Sequence, residues 1–209
     1  KKNGKKYKIN IKINNLKKYF FTSNDYQNNI FNILAALTVM SIFFDISKIN
    51  KNIFFNFKIP NGRGDICKVK KFNKVFILVD ESYNANPLSM KSAIKNMDSY
   101  KLKNNRKKII FLGDMLELGK KSKKLHRDLA LVINKSSIDR VFVYGKYIKE
   151  TFNNLLEGKK GKIFNDLKDA HHHFGEIIHN NDILMIKGSN ATGLNNFSKN
   201  IKKGKISVI

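Results

Sequence analysis

The chain has 209 residues, 42% of them apolar, and a formal charge of +25 at pH 7, which suits one large or two small globular domains with a real core. Such a charge raises nucleic acid or an anionic membrane as partners. However, nearly all of it is Lys spread along the chain, Arg is scarce, and abundant Asn and Ile point to AT-rich coding, so nucleic-acid binding as the main role is disfavoured. The single cysteine, Cys67, excludes an internal disulfide and a paired-thiol metal site, and as a buried inert thiol it fits a reducing cytosol.

In chain order, Tyr7, Ile9, Ile11 and Ile13 alternate with polar neighbours, then turn at Asn14 and Asn15 into another short apolar run, a pattern that predicts a hairpin. A helix from about Tyr26 to Phe44 follows. Its apolar run, Ile30 to Phe44, falls short of the roughly 20 residues of a membrane helix and carries Asn32, Thr38 and Ser41, so it predicts a core helix. No signal peptide precedes it, and the start at Lys1 rather than Met raises the expectation that an N-terminal part is missing. A short helix is expected near Ser47 to Phe55, then a domain linker over Pro60 to Asp65, where Pro and two Gly crowd together.

From there strands alternate with helices. Strands are predicted at 75–80, 108–114, 140–145, 162–165 and 182–188, and helices near 87–99, 121–134, 146–156, 167–178 and 194–203. Continuous apolar strands separated by helices imply a mostly parallel sheet covered on both faces. Ligands of such sheets bind beyond the carboxyl ends of the strands, here marked by Asp80, Gly113, Asp114, Gly145, Lys187 and Gly188.

Three stretches invite chemistry. Gly113 to Lys121, "GDMLELGKK", follows a strand, but its glycines are six apart, Lys121 stands where a phosphate loop needs a hydroxyl, and Asp114 and Glu117 would repel phosphate. His171, His172 and His173 are consecutive on a helix and so point apart, which predicts a solvated surface rather than a metal site. His126 lies just past the Gly113–Gly119 loop, where a packing role is the expectation. The third stretch, "DESYNANPLSM" from Asp80 to Met90, places Asn86 to cap a helix and Pro87 in its first turn. Capping leaves Asp80, Tyr83 and Asn84 without a reason. A strand-end Asp can accept from ribose hydroxyls, and carboxamides suit a ligand offering donors and acceptors.

Those residues resemble the DDSYNANPDSM signature of the MurF ligases, which join D-alanyl-D-alanine to the UDP-N-acetylmuramoyl tripeptide of peptidoglycan precursors. Other segments agree in order: "NNIFNILAAL" (28–37) is similar to the family's HNxxNALAA helix, "GRG" (62–64) to its interdomain GR, "FLGDMLELG" (111–119) to its GDMxELG loop, and "DILMIKGSNATGL" (182–194) to its closing KGS segment. The departures are Asn28 for a common His, Glu81 for a second Asp, and Asn190 for a common Arg. The resemblance implies an α/β chain in two parts: residues 1–59 as the end of a central ATPase domain, a β-hairpin plus helices, and 60–209 as a Rossmann-like C-terminal domain.

It also implies ATP as cofactor, with Asn29, Asn32, Arg63 and Asp80 near the nucleotide and Arg63 as the catalytic cation. Asn84, Asn86, Lys187 and Ser189 would face the muramoyl tripeptide and D-alanyl-D-alanine. Mg2+ would accompany the ATP, but the family's GKT loop, magnesium ligands and modified lysine have no match here, so no metal ligand is assigned and the segment is expected to be inactive alone. The chemistry implied is formation of an acyl phosphate, then attack by the dipeptide amine. A cytoplasmic monomer with no membrane span is expected. The rivals are a sibling ligase of the MurE type, whose DNPR-type motif is not visible, and a non-catalytic basic nucleic-acid-binding protein.

Overall fold

The computed structural model describes residues 6–23, 27–56, 60–101 and 106–208, with the side chains of Gln27, Asn28 and Val208 outside the described set. The Asn28 departure and the expected helix start at Tyr26 therefore lie outside it. The chain divides into two compact units, residues 1–59 and 60–209.

In the first unit, β1 (Tyr7–Ile13) and β2 (Leu16–Thr22) pair antiparallel around Asn14, whose φ of 52° is a left-handed conformation that Asn tolerates. Helix α1 (Gln27–Phe43) crosses the hairpin, and Ile11, Phe20, Ile33 and Leu37 form a small core. The expected core helix is only partly that. Val39, Ile42 and Phe43 are 58%, 74% and 72% exposed, because a two-stranded sheet offers one narrow face while α1 is apolar on every side. The expected helix over Ser47–Phe55 reduces to a 3-10 turn at Ile46–Lys48 followed by turns. Asn50 Oδ1 accepts from Asn52 N at 2.9 Å, a local turn that competes with helix formation.

The second unit is built on a seven-stranded sheet. Strands β3 (Asp65–Lys71), β4 (Lys74–Glu81), β5 (Lys108–Gly113), β6 (Arg140–Tyr144), β7 (Lys160–Phe164), β8 (Ile183–Lys187) and β9 (Lys205–Val208) lie in the order β7-β6-β5-β8-β4-β3-β9. The first five in that order run parallel, while β3 pairs antiparallel with both β4 and β9. Neither β3 nor β9 was expected, and the stretch expected as a linker ends in β3. Strand β3 reads "DICKVKK", and its lysines hide the alternation that buries Cys67 and Val69. The turn into β4 places Phe72 and Asn73 at φ 55° and 56°, the left-handed pair of a tight hairpin. Phe72 pays for that conformation by packing its ring edge-on to His171, 4.9 Å between centroids.

Helices α2 (Pro87–Ser99), α3 (Ser122–Arg127), α4 (Leu129–Asn134) and α5 (Lys149–Asn153) cover one face; α6 (Leu167–Ile177) and α7 (Leu194–Lys202) cover the other. The single helix expected over 121–134 is interrupted at Asp128, and that over 146–156 keeps only its middle. Phe111 is fully buried at the centre of the second face, with ring centroids of Phe164, Phe174 and Phe197 at 5.7, 5.1 and 5.3 Å. Replacing Phe111 with Ala removes that hub and is expected to cost about 3–5 kcal/mol in chemical denaturation of the chain; a loss below about 1 kcal/mol would show that the cluster closes around the gap.

Candidate functional site

The sheet order creates a crevice. Strands β4 and β8 are parallel neighbours with Glu81 in register with Lys187, yet α2 leaves β4 onto one face and α7 follows β8 onto the other. Two chains that diverge from adjacent strand ends leave an opening at the carboxyl edge, the place where open parallel sheets bind ligands. Arg63, Asp80, Asn84, Asn86, Lys187 and Ser189 all belong to the segments at the ends of β3, β4 and β8. Asn29 and Asn32 belong to the other unit, where Asn29 is buried with its amide nitrogen unpaired among the described residues and Asn32 is exposed.

The loop carrying Arg63 is pinned on both sides. Gly62 and Gly64 have φ of 78° and 95°, and a Cβ on Gly62 would stand 2.9 Å from Tyr83 Cβ, so glycine is required there on two counts. Tyr83 N donates to Gly62 O at 3.0 Å, Gly64 N to Asp80 O at 2.8 Å, and Gly62 N to Asp65 Oδ1 at 3.0 Å. Between the glycines the Arg63 guanidinium lies over the Tyr83 ring, 4.5 Å from its centroid, and no carboxylate stands within ion-pair distance of it among the described residues. A planar fork held over an aromatic ring and left without an anion is suited to bind one.

The Asp80 carboxylate, expected to face a ribose, is buried. Its Oδ1 accepts from Ser82 N at 3.1 Å and from the Ser82 hydroxyl, and its Oδ2 faces the Lys202 ammonium, which also pairs with Asp65. Burial alone would lower the Lys202 pKa, but the hydrogen bonds and charges of Asp65 and Asp80 outweigh it and hold that ammonium above its ordinary value. Asn86 caps α2 as its sequence position implies: Oδ1 accepts from Ser89 N at 2.8 Å, and the Ser89 hydroxyl accepts from Asn86 N at 3.1 Å. The exposed Asn84 accepts from Ala85 N through Oδ1, which leaves its amide nitrogen without a partner among the described residues. Lys187 is buried; its ammonium donates to Asn84 O at 2.9 Å and meets Glu81 at 3.4 Å. Burial pulls the Lys187 pKa down, Glu81 pulls it back up, and Arg63 adds to the fall.

The neighbouring loops are held together by residues whose roles the sequence left open. Asp114 accepts from Lys146, Tyr147 and Ile148 N at 2.9, 2.9 and 2.7 Å, tying the end of β5 to the end of β6. Ser189 N donates to Asp114 O, and the Ser189 hydroxyl accepts from Leu116 N at 3.0 Å. His126 is buried, donates from Nδ1 to Ser122 O at 2.7 Å, and accepts at Nε2 from Met115 N at 2.9 Å. Glu117 is exposed with φ 63°. Because Asp80, Glu81 and Asp114 are engaged with lysines or backbone amides, this edge offers no ligand set for magnesium among the described residues.

Of the three consecutive histidines only His172 lies on a solvated surface. His171 packs on Phe72, and His173 packs edge-on to Phe142 and Phe164. Cys67 is buried, and burial pushes its thiol pKa up. The sequence reasoning missed Asp65, Ser82, Asn195 and Lys202. A signal was available in α7, where Asn195, Ser198 and Lys202 form a polar stripe at helical spacing beside buried Leu194, Phe197 and Ile201.

A family described as "Mur ligase, glutamate ligase domain" matches residues 62–190. A UDP-N-acetylmuramoyl-tripeptide--D-alanyl-D-alanine ligase of Bacillus subtilis is 28% identical over 184 residues, covering 87% of this chain and 39% of the relative. An enzyme of the same name from Buchnera aphidicola is 35% identical over 143 residues, or 66% of this chain and 28% of its own. The chain thus spans about two fifths or less of the length of these relatives. Among solved structures, a MurF ligase from Thermotoga maritima in complex with ADP superposes with a TM-score of 0.69 at 22% identity, over 90% of this chain and 42% of that one, a likeness of fold.

The His126 geometry carries a pH dependence. Burial lowers its pKa, outweighing the Ser122 carbonyl and Asp114. A group whose folded pKa lies below its unfolded value stabilises fully above about pH 6.5 and loses that contribution as pH falls through the folded pKa. The melting temperature is expected to fall on acidification below about 6.5, and the fall to be shallower in His126→Gln; identical slopes for the two proteins would remove His126 from the effect.

Proposed function

The chain belongs to the Mur ligase family, and from that membership we propose that it forms the C-terminal portion of an ATP-dependent ligase that joins D-alanyl-D-alanine to UDP-N-acetylmuramoyl tripeptide in peptidoglycan precursor synthesis. The observation that carries the proposal is the Arg63 fork over Tyr83 at the strand edge, unpaired among the described residues, in a chain whose curated relatives bear that activity in their names. Residues 60–209 would be the family's C-terminal domain and 1–59 the end of its central domain. The buried amide of Asn29, unpartnered among the described residues, supports a nucleotide reading of that first unit, since a donor in that state lacks the acceptor that a base could supply.

When bound, ATP would supply the phosphoryl group that turns the tripeptide carboxylate into an acyl phosphate. The chain's own residues would position and stabilise. Arg63 presents N–H donors to phosphate oxygens or to the developing oxyanion, held there by Tyr83 at no reorganisation cost during the reaction. The free amide of Asn84 would donate to the peptide substrate. Lys187 would act on the substrate indirectly, by fixing the Asn84 backbone through the hydrogen bond to its carbonyl. Ser189 and Asn86 would shape the crevice, with their oxygens engaged by Leu116 N and Ser89 N. A magnesium ion accompanying the nucleotide finds no ligand set here, so no step is assigned to it. No described helix is long and apolar enough to cross a membrane; the ligase would work as a monomer in the cytoplasm.

The test is phosphate release by the protein expressed from its complete coding sequence, with ATP, UDP-N-acetylmuramoyl tripeptide and D-alanyl-D-alanine all required. Release that ignores the dipeptide, or that responds instead to a single amino acid, would overturn the assignment. In the same protein Arg63→Ala is expected to lower kcat by about a hundredfold, the worth of one charge-assisted contact of about 2–3 kcal/mol. Its melting temperature should scarcely move, because the side chain is exposed. Asn84→Ala is expected to raise KM for a peptide substrate about fivefold with folding retained; unchanged kinetics would remove Asn84 from the site.

A further inference from the structure

Asp65 and Asp80 are register partners across the antiparallel β3–β4 pair. Like charges directly opposite one another on adjacent strands repel, and here Asp80 is wholly buried and Asp65 partly so, its side chain 17% exposed. Among the described residues Lys202 is the one cation within ion-pair distance of either, and it reaches both. Removing such a cation would leave one buried and one partly buried carboxylate uncompensated.

The same two residues hold the loop above them. Asp65 accepts from Gly62 N through Oδ1 while Oδ2 meets Lys202. The Asp80 carbonyl accepts from Gly64 N, and its carboxylate accepts from Ser82, whose hydroxyl also receives Asn195 Nδ2 at 3.2 Å. Gly62 is therefore fastened to the Asp65 carboxylate and Gly64 to the Asp80 backbone, the two residues that Lys202 joins, and Tyr83 is fastened to Gly62 in turn.

The geometry points to Lys202 as a positioning residue: from α7 it clamps Asp65 to Asp80 and so sets the Arg63–Tyr83 stack at the mouth of the crevice. This deepens the proposed function, since it rests on Arg63 being the group that meets the anionic substrate. It also assigns Asp80 a different duty from the ribose contact implied by resemblance, because its buried carboxylate is already engaged by Lys202 and Ser82.

The chain has four arginines, Arg63, Arg106, Arg127 and Arg140, so the side-chain N–H signals of nitrogen-15-labelled arginine can be assigned by substitution. In the full chain the Arg63 signal should carry the ring-current shift of Tyr83, lost in Tyr83→Leu. Lys202→Met is expected to move the Arg63 signal to the Tyr83→Leu position, and Lys202→Arg, which keeps the cation, to restore it. A lower melting temperature in Lys202→Met with the Arg63 signal unmoved would reduce Lys202 to a structural role and overturn the proposal. Should Lys202→Met fail to fold, Asp65→Ala carries the test, because it frees Gly62 N and one arm of the clamp; an unmoved Arg63 signal there overturns the proposal equally. Titration with ADP at physiological ionic strength separates the two readings. If ADP leaves the wild-type Arg63 signal unchanged, the nucleotide role of Arg63 fails, while the response to Lys202→Met still decides the positioning role.

Discussion

Two carboxylates that face each other across neighbouring strands cannot share an enclosed edge without a cation between them. In this chain the cation comes from the last helix, so the end of the sequence secures the start of the second unit. That constraint explains why α7 buries a polar stripe alongside its apolar one and why β9 follows at once to pair with β3. Most of what stands at the mouth of the crevice is anchored through this junction, directly or at one remove.

The rest of the carboxyl edge is built from side chains that receive backbone amides. Asp114 collects three N–H groups from the start of the next segment, His126 collects Met115, and Ser189 collects Leu116. Each satisfies donors that a loop leaving a buried strand would otherwise strand away from water. The polar residues nearest the strands therefore support the loops, while Arg63, Tyr83 and Asn84 project from them. The chemistry proposed for this edge belongs to that outer group, and its geometry to the inner one.

How much of this was legible beforehand varied with the kind of signal. Continuous apolar runs at 75–80, 108–114, 140–145 and 182–188 identified four central strands, because burial on both faces leaves few polar letters. The cap at Asn86 and Pro87 was legible because its chemistry is local. Strands β3 and β9 were not, since a strand with lysine on its open face looks like the Lys-rich background. Asp80 illustrates the limit for the site. Its place at a strand end was readable, but its partner lies 122 residues further on, and no local pattern announces a long-range ion pair. The histidine run shows the converse: its spacing excluded a shared face, but the rings of Phe72, Phe142 and Phe164 decided which members are covered.

The exposed flank of α1 has a bearing on how the molecule behaves in bulk. Val39, Ile42, Phe43 and Phe44 make an oily strip on a chain carrying a large excess of positive charge. Between copies, the strip attracts at short range and the charge repels at long range. Salt screens the second and leaves the first, so raising the ionic strength shifts the balance of the two forces on this strip toward attraction.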